Sequence, residues 1–398
     1  MSHESTGAGS HVLALNSGSS SLKFGLYRVD STPIEAVLSG EAQSIGESRG
    51  AFVARDSRNH VLVSEDAPLP SQREAIERIG RLLAESGVRA PLAIGHRIVH
   101  GGPKLRQHCL IDDLVLQELQ AASAFAPLHT PSALSVIQFA RDHFPGIAQT
   151  ACFDTAFHAG LPDVARVLAL PKELQSEGVQ RYGFHGLSYE SIVHQLADDL
   201  PRRLVVAHLG NGASVTAIDR GRSVDTTMGM TPTGGVIMGT RSGDLDPGVL
   251  LYLLRTKNRD VDTLEGLVDH RSGLLGISGV SSDMRRLHEA AASNADARLA
   301  IEMFCYSVCK QVAGMIAALG GVDMLVFTGG IGENDAEVRA KVCDGLTWAG
   351  VALDSARDPT ARNTIRDAAS SCSVKVLVSQ EDEQIARHTW ALLPKQIP

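Results

Sequence analysis

Two stretches of this 398-residue chain repeat one pattern: an apolar run, a glycine-rich polar turn and a second strand-like run. Residues 12–15 (VLAL) lead into NSGSSS and then LKFGLYRV, and residues 204–209 (LVVAHL) lead into GNGAS and then VTAID. Each reads as a hairpin. Placing Gly18 on Gly212 gives an offset of 194 residues, close to half the chain, and predicts two related domains. A third glycine-rich stop, GVDMLVFTGGIGEN (321–334), ends another apolar strand, between helices predicted over 298–319 and 335–349. Strands and helices alternate again at 92–98, 112–125, 132–144 and 147–153, so the class is α/β. Residues 285–298 read as a solvated helix or connector and 354–368 as a surface excursion. The terminal SQEDEQIARHTWALLP reads as a helix that can offer Ile385, Ala386, Trp390 and Leu393 to one face.

Composition narrows the function. The length suits two or three domains and a core that needs no staple. The net charge of −8 argues against non-specific binding to nucleic acid or anionic membranes, and 4% aromatics argue against base-stacking platforms. Anionic substrates would then need a few placed cations. Cys109, Cys152, Cys305, Cys309, Cys343 and Cys372 form no C-x-x-C pair and read as free thiols of a reducing cytoplasm. Residues 1–11 lack an apolar core and read as a short tail rather than a signal peptide. No run is read as long enough to cross a bilayer.

Several segments carry candidate chemistry, each with a plain alternative. Asn16–Ser21 plus Lys23 gathers amides, hydroxyls and an ammonium suited to phosphate, or is an ordinary hairpin turn. In His208–Ser214 the glycines let backbone approach a ligand, or simply make a tight turn. No P-loop, dinucleotide fingerprint or hydrolase elbow occurs. Arg97 (IGHRIVHGG) and Arg241 (MGTRSGDLDPG) suit bidentate binding of carboxylate or phosphate, or structural ion pairs. Asp154 (ACFDTAFH) suits Mg²⁺ or substrate orientation, or a helix cap, and Glu381 a metal or an exposed helix start. His185 (RYGFHGLSYE) is a lone histidine between glycines, and His96 and His100 read as structural.

Together, NSGSSSLKF, GHRIVHGG, FDTAFH, RYGFHG, HLGNGAS, MGTRSGDLDPG and TGGIGEN resemble the acetate kinase family, in that family's order over nearly the whole chain. The family belongs to the acetate and sugar kinase, heat-shock chaperone and actin superfamily. The resemblance implies two ribonuclease-H-like (actin-like ATPase) domains around a cleft. An N-terminal domain over 1–154 would receive the C-terminal helix, about 387–398. Residues 155–386 would form the nucleotide-binding and dimerisation domain. The activity implied is Mg²⁺-dependent, reversible, in-line transfer of the ATP γ-phosphoryl group to acetate, giving acetyl phosphate and ADP. Mn²⁺ is a possible substitute for Mg²⁺, and the enzyme would be a homodimer.

Carried over by position, Asp154, His185, Arg97 and Arg241 would be catalytic. Asn16 and Glu381 would hold the metal. Arg97, Val99, Leu128 and Pro232 would bind the acid. Lys23, Ser19, Ser21, His208, Leu209, Gly210, Asn211 and Gly212 would bind the phosphates. Asp283, Met284, Arg285, Gly330, Ile331, Gly332 and Asn334 would bind the adenosine end. The chain departs from the family's usual TPLEG, GFHGTSH and Asn-Glu in TPTGG (231–235), GFHGLSYE and Gln380–Glu381, and carries Cys152 in place of a small aliphatic residue. No departure removes a charged site residue. A propionate kinase is the nearest alternative, with Val99 favouring the smaller acid. A chaperone-type ATPase would need a peptide-binding domain for which no residues remain, and a non-catalytic ATP sensor would not need the arginines.

Overall fold

The computed structural model describes residues 9–394 apart from 19, 88–89, 127–129, 258 and 354–370. Ser19, Leu128, most of the leading tail and the 354–368 segment therefore lie outside the described residues. The chain divides into two compact units, Met1–Ala156 with Gln380–Pro398, and Phe157–Ser379.

The first unit holds β1 (His11–Ser17), β2 (Leu22–Arg28), β3 (Glu35–Gln43), β4 (Ala51–Asp56), β5 (Val61–Asp66), β6 (Ala93–Ile98), β7 (Cys109–Leu110) and β8 (Ala148–Phe153). They form one sheet in the order β5-β4-β3-β2-β1-β6-β8-β7. β1 is antiparallel to β2 and parallel to β6, which is parallel to β8. The second unit holds β9 (Arg203–Leu209), β10 (Ala213–Asp219), β11 (Arg222–Thr226), β12 (Met324–Thr328) and β13 (Ser373–Val376), in the order β11-β10-β9-β12-β13. Here too the first strand is antiparallel to the second and parallel to the fourth. Both sheets thus share the 3-2-1-4-5 core of a ribonuclease-H-like fold. The repeat read in the sequence is real, with one refinement. β9 starts 192 residues after β1, at residue 203 against residue 11. The register pairs Ser17 with Leu22 but Leu209 with Ala213, so the first turn is longer by one residue, and aligning the two by glycine misplaces the strands.

Both central strands are buried on both faces, β1 at each of Val12, Leu13, Ala14 and Leu15 and β9 at each of Leu204, Val205, Val206 and Ala207. This two-sided burial explains why they read as continuous apolar runs rather than alternating ones. Gly329–Asn334, expected as an open loop, is a short helix. Gly329 makes the bend at φ 78°, where a Cβ would meet the Leu209 carbonyl oxygen at 2.8 Å, and the Glu333 carboxylate accepts the Gly329 N–H at 3.0 Å. The 335–349 helix stops sooner than expected, at Asp344.

The terminal helix, Glu381–Leu392, packs on the first sheet. Its inner face is Gln384, Ile385, Ala386 and Thr389, whereas Trp390, expected inside, is 38% exposed. Gly95 explains the choice: a Cβ there would lie 2.2 Å from Thr389 Oγ1 and 2.5 Å from Ile385 Cγ2. Thr389 also bonds Thr150 at 2.6 Å. One reading is corrected. The 25-residue helix Ala295–Leu319 is long and apolar enough to cross a membrane. Phe304, Val308 and Val312 bury one face of it, as in the core helix of a folded domain.

His96, bonded to Gln149 at 2.9 Å, is as buried as expected of a structural histidine. Burial pushes its pKa down from 6.5 to about 4, and does the same to His158 in the second unit. Both are neutral in the fold, so the unfolded chain binds protons first on acidification. Their contribution to stability is present above pH 6.5 and is lost as pH falls towards 4. Urea midpoints are expected to fall across that window, and His96→Gln to flatten the decline; an unchanged slope in the variant would refute the assignment.

Candidate active site

In the first unit, Arg97 is the penultimate residue of β6 and Asp154 follows the end of the neighbouring parallel strand β8. Their side chains meet as a fork. Arg97 Nε lies 3.1 and 3.0 Å from the two Asp154 oxygens, and Nη2 lies 2.6 Å from Oδ2. Asp154 is 1% exposed. Arg97 Nη1 donates to Asn16 Oδ1 at 3.0 Å, at the end of β1. Asn16 Nδ2 in turn donates to Glu381 at 3.3 Å and to Asp382 at 3.1 Å. Burial works against the Arg97 charge, but Asp154, Glu381 and Asp382 outweigh it and raise its pKa. Burial pushes the Asp382 carboxyl up, Asn16 opposes this, and Glu381 adds to it. Asp382 was not singled out in the sequence; its signal was the acidic run Glu381–Glu383 opening a helix. Lys23 is exposed and stands opposite Asn16 in the β1–β2 register. Val99, half-buried, directly follows β6.

In the second unit, His185 caps the helix Gly186–Leu196 in a left-handed conformation, φ 57° and ψ 25°. His158 Nε2 donates to the Phe184 carbonyl at 3.0 Å and steadies that turn. The His185 ring stacks on His208 with centroids 4.2 Å apart. His208 Nδ1 bonds Ser188 Oγ at 2.8 Å, and Ser379 Oγ donates to Ser188 at 2.9 Å. A Cβ on Gly212 would lie 3.3 Å from His185 Nε2 and 3.4 Å from Arg241 Nη1. The glycine turn, the imidazole and the guanidinium thus converge. Pro232 touches the same arginine through its carbonyl, 3.4 Å from Nη1. Gly239 lies so close to Asn211 Oδ1 that a Cβ would come within 2.1 Å, locking the Arg241 loop onto the turn.

A cavity of about 1010 Å³ opens beside this turn. Gly210, Asn211, Asp283, Met284, Arg285, Gly330, Ile331 and Asn334 line it, as does an unforeseen wall of Ser282, His288, Asp335, Ala336 and Glu337. His288 bonds Asp335 at 2.8 Å. Asp283 caps the Met284–Ala291 helix, and the Arg285 guanidinium beside it holds its carboxyl below the usual range. Leu209 and Gly332 do not line the cavity. Leu209 ends a two-sided buried strand and is 0% exposed, and Gly332 packs on Phe327 and Ala207. They shape the site through backbone alone.

Residues 11–387 match the model of the Acetokinase family. The chain belongs to that family. An acetate kinase from Campylobacter jejuni is 40% identical over 96% of this chain and 99% of its own length. One from Methylocella silvestris is 42% identical over 96% and 98%. Among solved structures, a propionate kinase from Francisella tularensis superposes with a TM-score of 0.91 at 35% identity, covering 96% of this chain and all of its own. The acetate kinase of Porphyromonas gingivalis gives 0.86 at 35%, covering 97% of this chain and all of its own. Acetokinase membership makes the chain a phosphotransferase acting on a carboxyl group.

The Arg97–Asp154 pair sets this acetokinase's sharpest stability test. Asp154→Ala leaves a largely buried guanidinium short of its partner and is expected to cost about 3–5 kcal/mol. The double variant Arg97→Met/Asp154→Ala should recover most of that in urea unfolding, and equal losses in single and double variants would exclude a buried pair.

Proposed function

We propose that this chain is an acetate kinase that transfers the γ-phosphoryl group of ATP to acetate, directly and reversibly, giving acetyl phosphate and ADP. The observation that carries the reading is the convergence of His185 and Arg241 on the Gly212 turn beside the large cavity. Acetate is already a nucleophile, so no general base and no covalent enzyme intermediate are required. The work is to orient two anions and neutralise charge on an in-line phosphoryl group. Arg241 and His185 donate to that group. The Gly210–Gly212 amides and His208 cradle the phosphates in the second unit, the cavity there takes the adenosine end, and Ser19, Ser21 and Lys23 are the first unit's residues assigned to phosphate. Arg97, aimed by Asp154 and Asn16, binds the acetate carboxylate and the moving group. Val99, Leu128 and Pro232 are the residues assigned to the acetate methyl.

Glu381 and Asp382 offer hard oxygens of the kind Mg²⁺ or Mn²⁺ prefers, and with Asn16 they are the residues that would hold such an ion. Asn16 ties the two carboxylates together through its amide. The ion, when bound, neutralises phosphate charge.

Acyl-hydroxamate formation from ATP with C2 to C4 acids tests the reading. Acetate should give the highest kcat/KM, and Arg97→Ala or Arg241→Ala should lose on the order of 10²–10³ in turnover. A preference for propionate would overturn the choice of acid and make the chain a propionate kinase.

The enzyme works as a homodimer through its second unit. The helix Pro247–Thr256 has no buried residue, and it and its lead-in expose Leu245, Val249, Leu251, Tyr252 and Leu254, a face suited to a second copy. Sedimentation of Leu251→Asp/Tyr252→Glu should give monomers where the parent gives dimers, and a monomeric parent would sink the idea. Six cysteines, none of them in a disulfide among the described residues, fit a reducing cytoplasm.

A further inference from the structure

Tyr189 lies one helical turn beyond His185, inside the GFHGLSYE segment that departs from the family's common form. It is fully buried, and its ring packs against Phe157 and edge-on to His158. Its hydroxyl bonds Ser214 Oγ, and Ser214 Oγ bonds His185 Nδ1 at 2.9 Å. Ser214 is 0% exposed. A buried relay of two hydroxyls thus ends on the nitrogen of His185 that faces away from the glycine turn.

A hydroxyl has one proton to give, and the Tyr189 hydroxyl meets the Thr216 side chain as well as Ser214, so donor and acceptor must be assigned at each step. A phenol is the stronger acid and the weaker acceptor, so Tyr189 donates to Ser214. Ser214 then spends its own proton on Nδ1. Burial raises the Tyr189 pKa, which keeps the phenol protonated. With Nδ1 accepting, the ring proton of a neutral imidazole must sit on Nε2, the atom 3.3 Å from where a Gly212 Cβ would be.

We propose that Tyr189 and Ser214 are positioning residues that fix His185 as the neutral Nε2–H tautomer. His185 then presents a hydrogen-bond donor to the transferred phosphoryl group without carrying a charge. His158 contributes by holding the Phe184 carbonyl, so the ring is set from both its backbone and its far nitrogen. The proposal rests on the phosphoryl-transfer reading for why the tautomer matters, but not for the tautomer itself.

Full-length enzyme labelled with ¹⁵N-histidine, with His185 assigned from the lost signals of His185→Gln, reports the tautomer without turnover. The wild type should show protonated Nε2 and hydrogen-bonded, unprotonated Nδ1 at neutral pH. Tyr189→Phe removes only the hydroxyl. It should mix the tautomers and lower kcat about two- to tenfold, the loss of one neutral hydrogen bond, with KM for acetate and ATP unchanged. Ser214→Ala, which leaves the aromatic packing untouched, should mix them further and carries the test if Tyr189→Phe folds poorly. A wild-type Nδ1–H tautomer overturns the proposal, as does a slower Tyr189→Phe enzyme whose His185 spectrum is unchanged. A wild type inactive on every short acid would overturn the functional reading alone, since the spectra need no substrate.

Discussion

Arg97 and Asp154 stand at the ends of two adjacent parallel strands, and the fork between them is the contact on which the first unit's site depends. A guanidinium mostly withdrawn from water is tolerated only when its donors are met. Asp154 meets three of those contacts and Asn16 a fourth, at the end of a third strand. The same asparagine then reaches the terminal helix at Glu381 and Asp382. One ion pair therefore organises side chains from residues 16, 97, 154 and 381–382, hundreds of positions apart in the chain.

The second unit solves a similar problem with glycine rather than charge. Gly239 and Gly329 bring a polar side chain or backbone closer than a Cβ would permit, and Gly212 leaves only tight room beside His185 and Arg241. Their effect is to pack a turn, an arginine loop and a helix start against one another. The imidazole of His185 is then aimed by buried neutral groups, Ser214, Tyr189 and the His158-held carbonyl. Charge is kept for the guanidinium beside it. Within an acidic body of net charge −8, the cations assigned to the site are few, chiefly Lys23, Arg97 and Arg241.

Much of this was legible in the chain. The duplicated hairpins, the α/β alternation and the segments bearing Arg97, His185 and Arg241 were marked by glycine, by apolar runs and by isolated charges. The misses have physical causes. Residues 329–334 looked like a loop because glycine is a poor helix former, yet Glu333 satisfies the first amide and lets the turn close. Trp390 looked like an anchor for the terminal helix, but Gly95 leaves room only for Thr389 and Ile385. Asp382 was marked only by its acidic run, and Ser188, Ser214, Ser379 and His288 carried no distinguishing signal of their own, since a polar residue in or beside a motif is ordinary until its partners are known.

Residue type, spacing and strand-end position determined, from sequence alone, the fold class, the twofold repeat and the residues with chemistry to offer. Those are local properties of the backbone and of hydrophobic period. Pairing was decided only by the folded chain. It set Arg97 against Asp154 and not another carboxylate, gave Glu381 an acidic neighbour on one amide, and stacked His185 on His208. Such contacts join residues from distant strands, and their existence depends on sheet order, register and close approach, none of which a local pattern encodes.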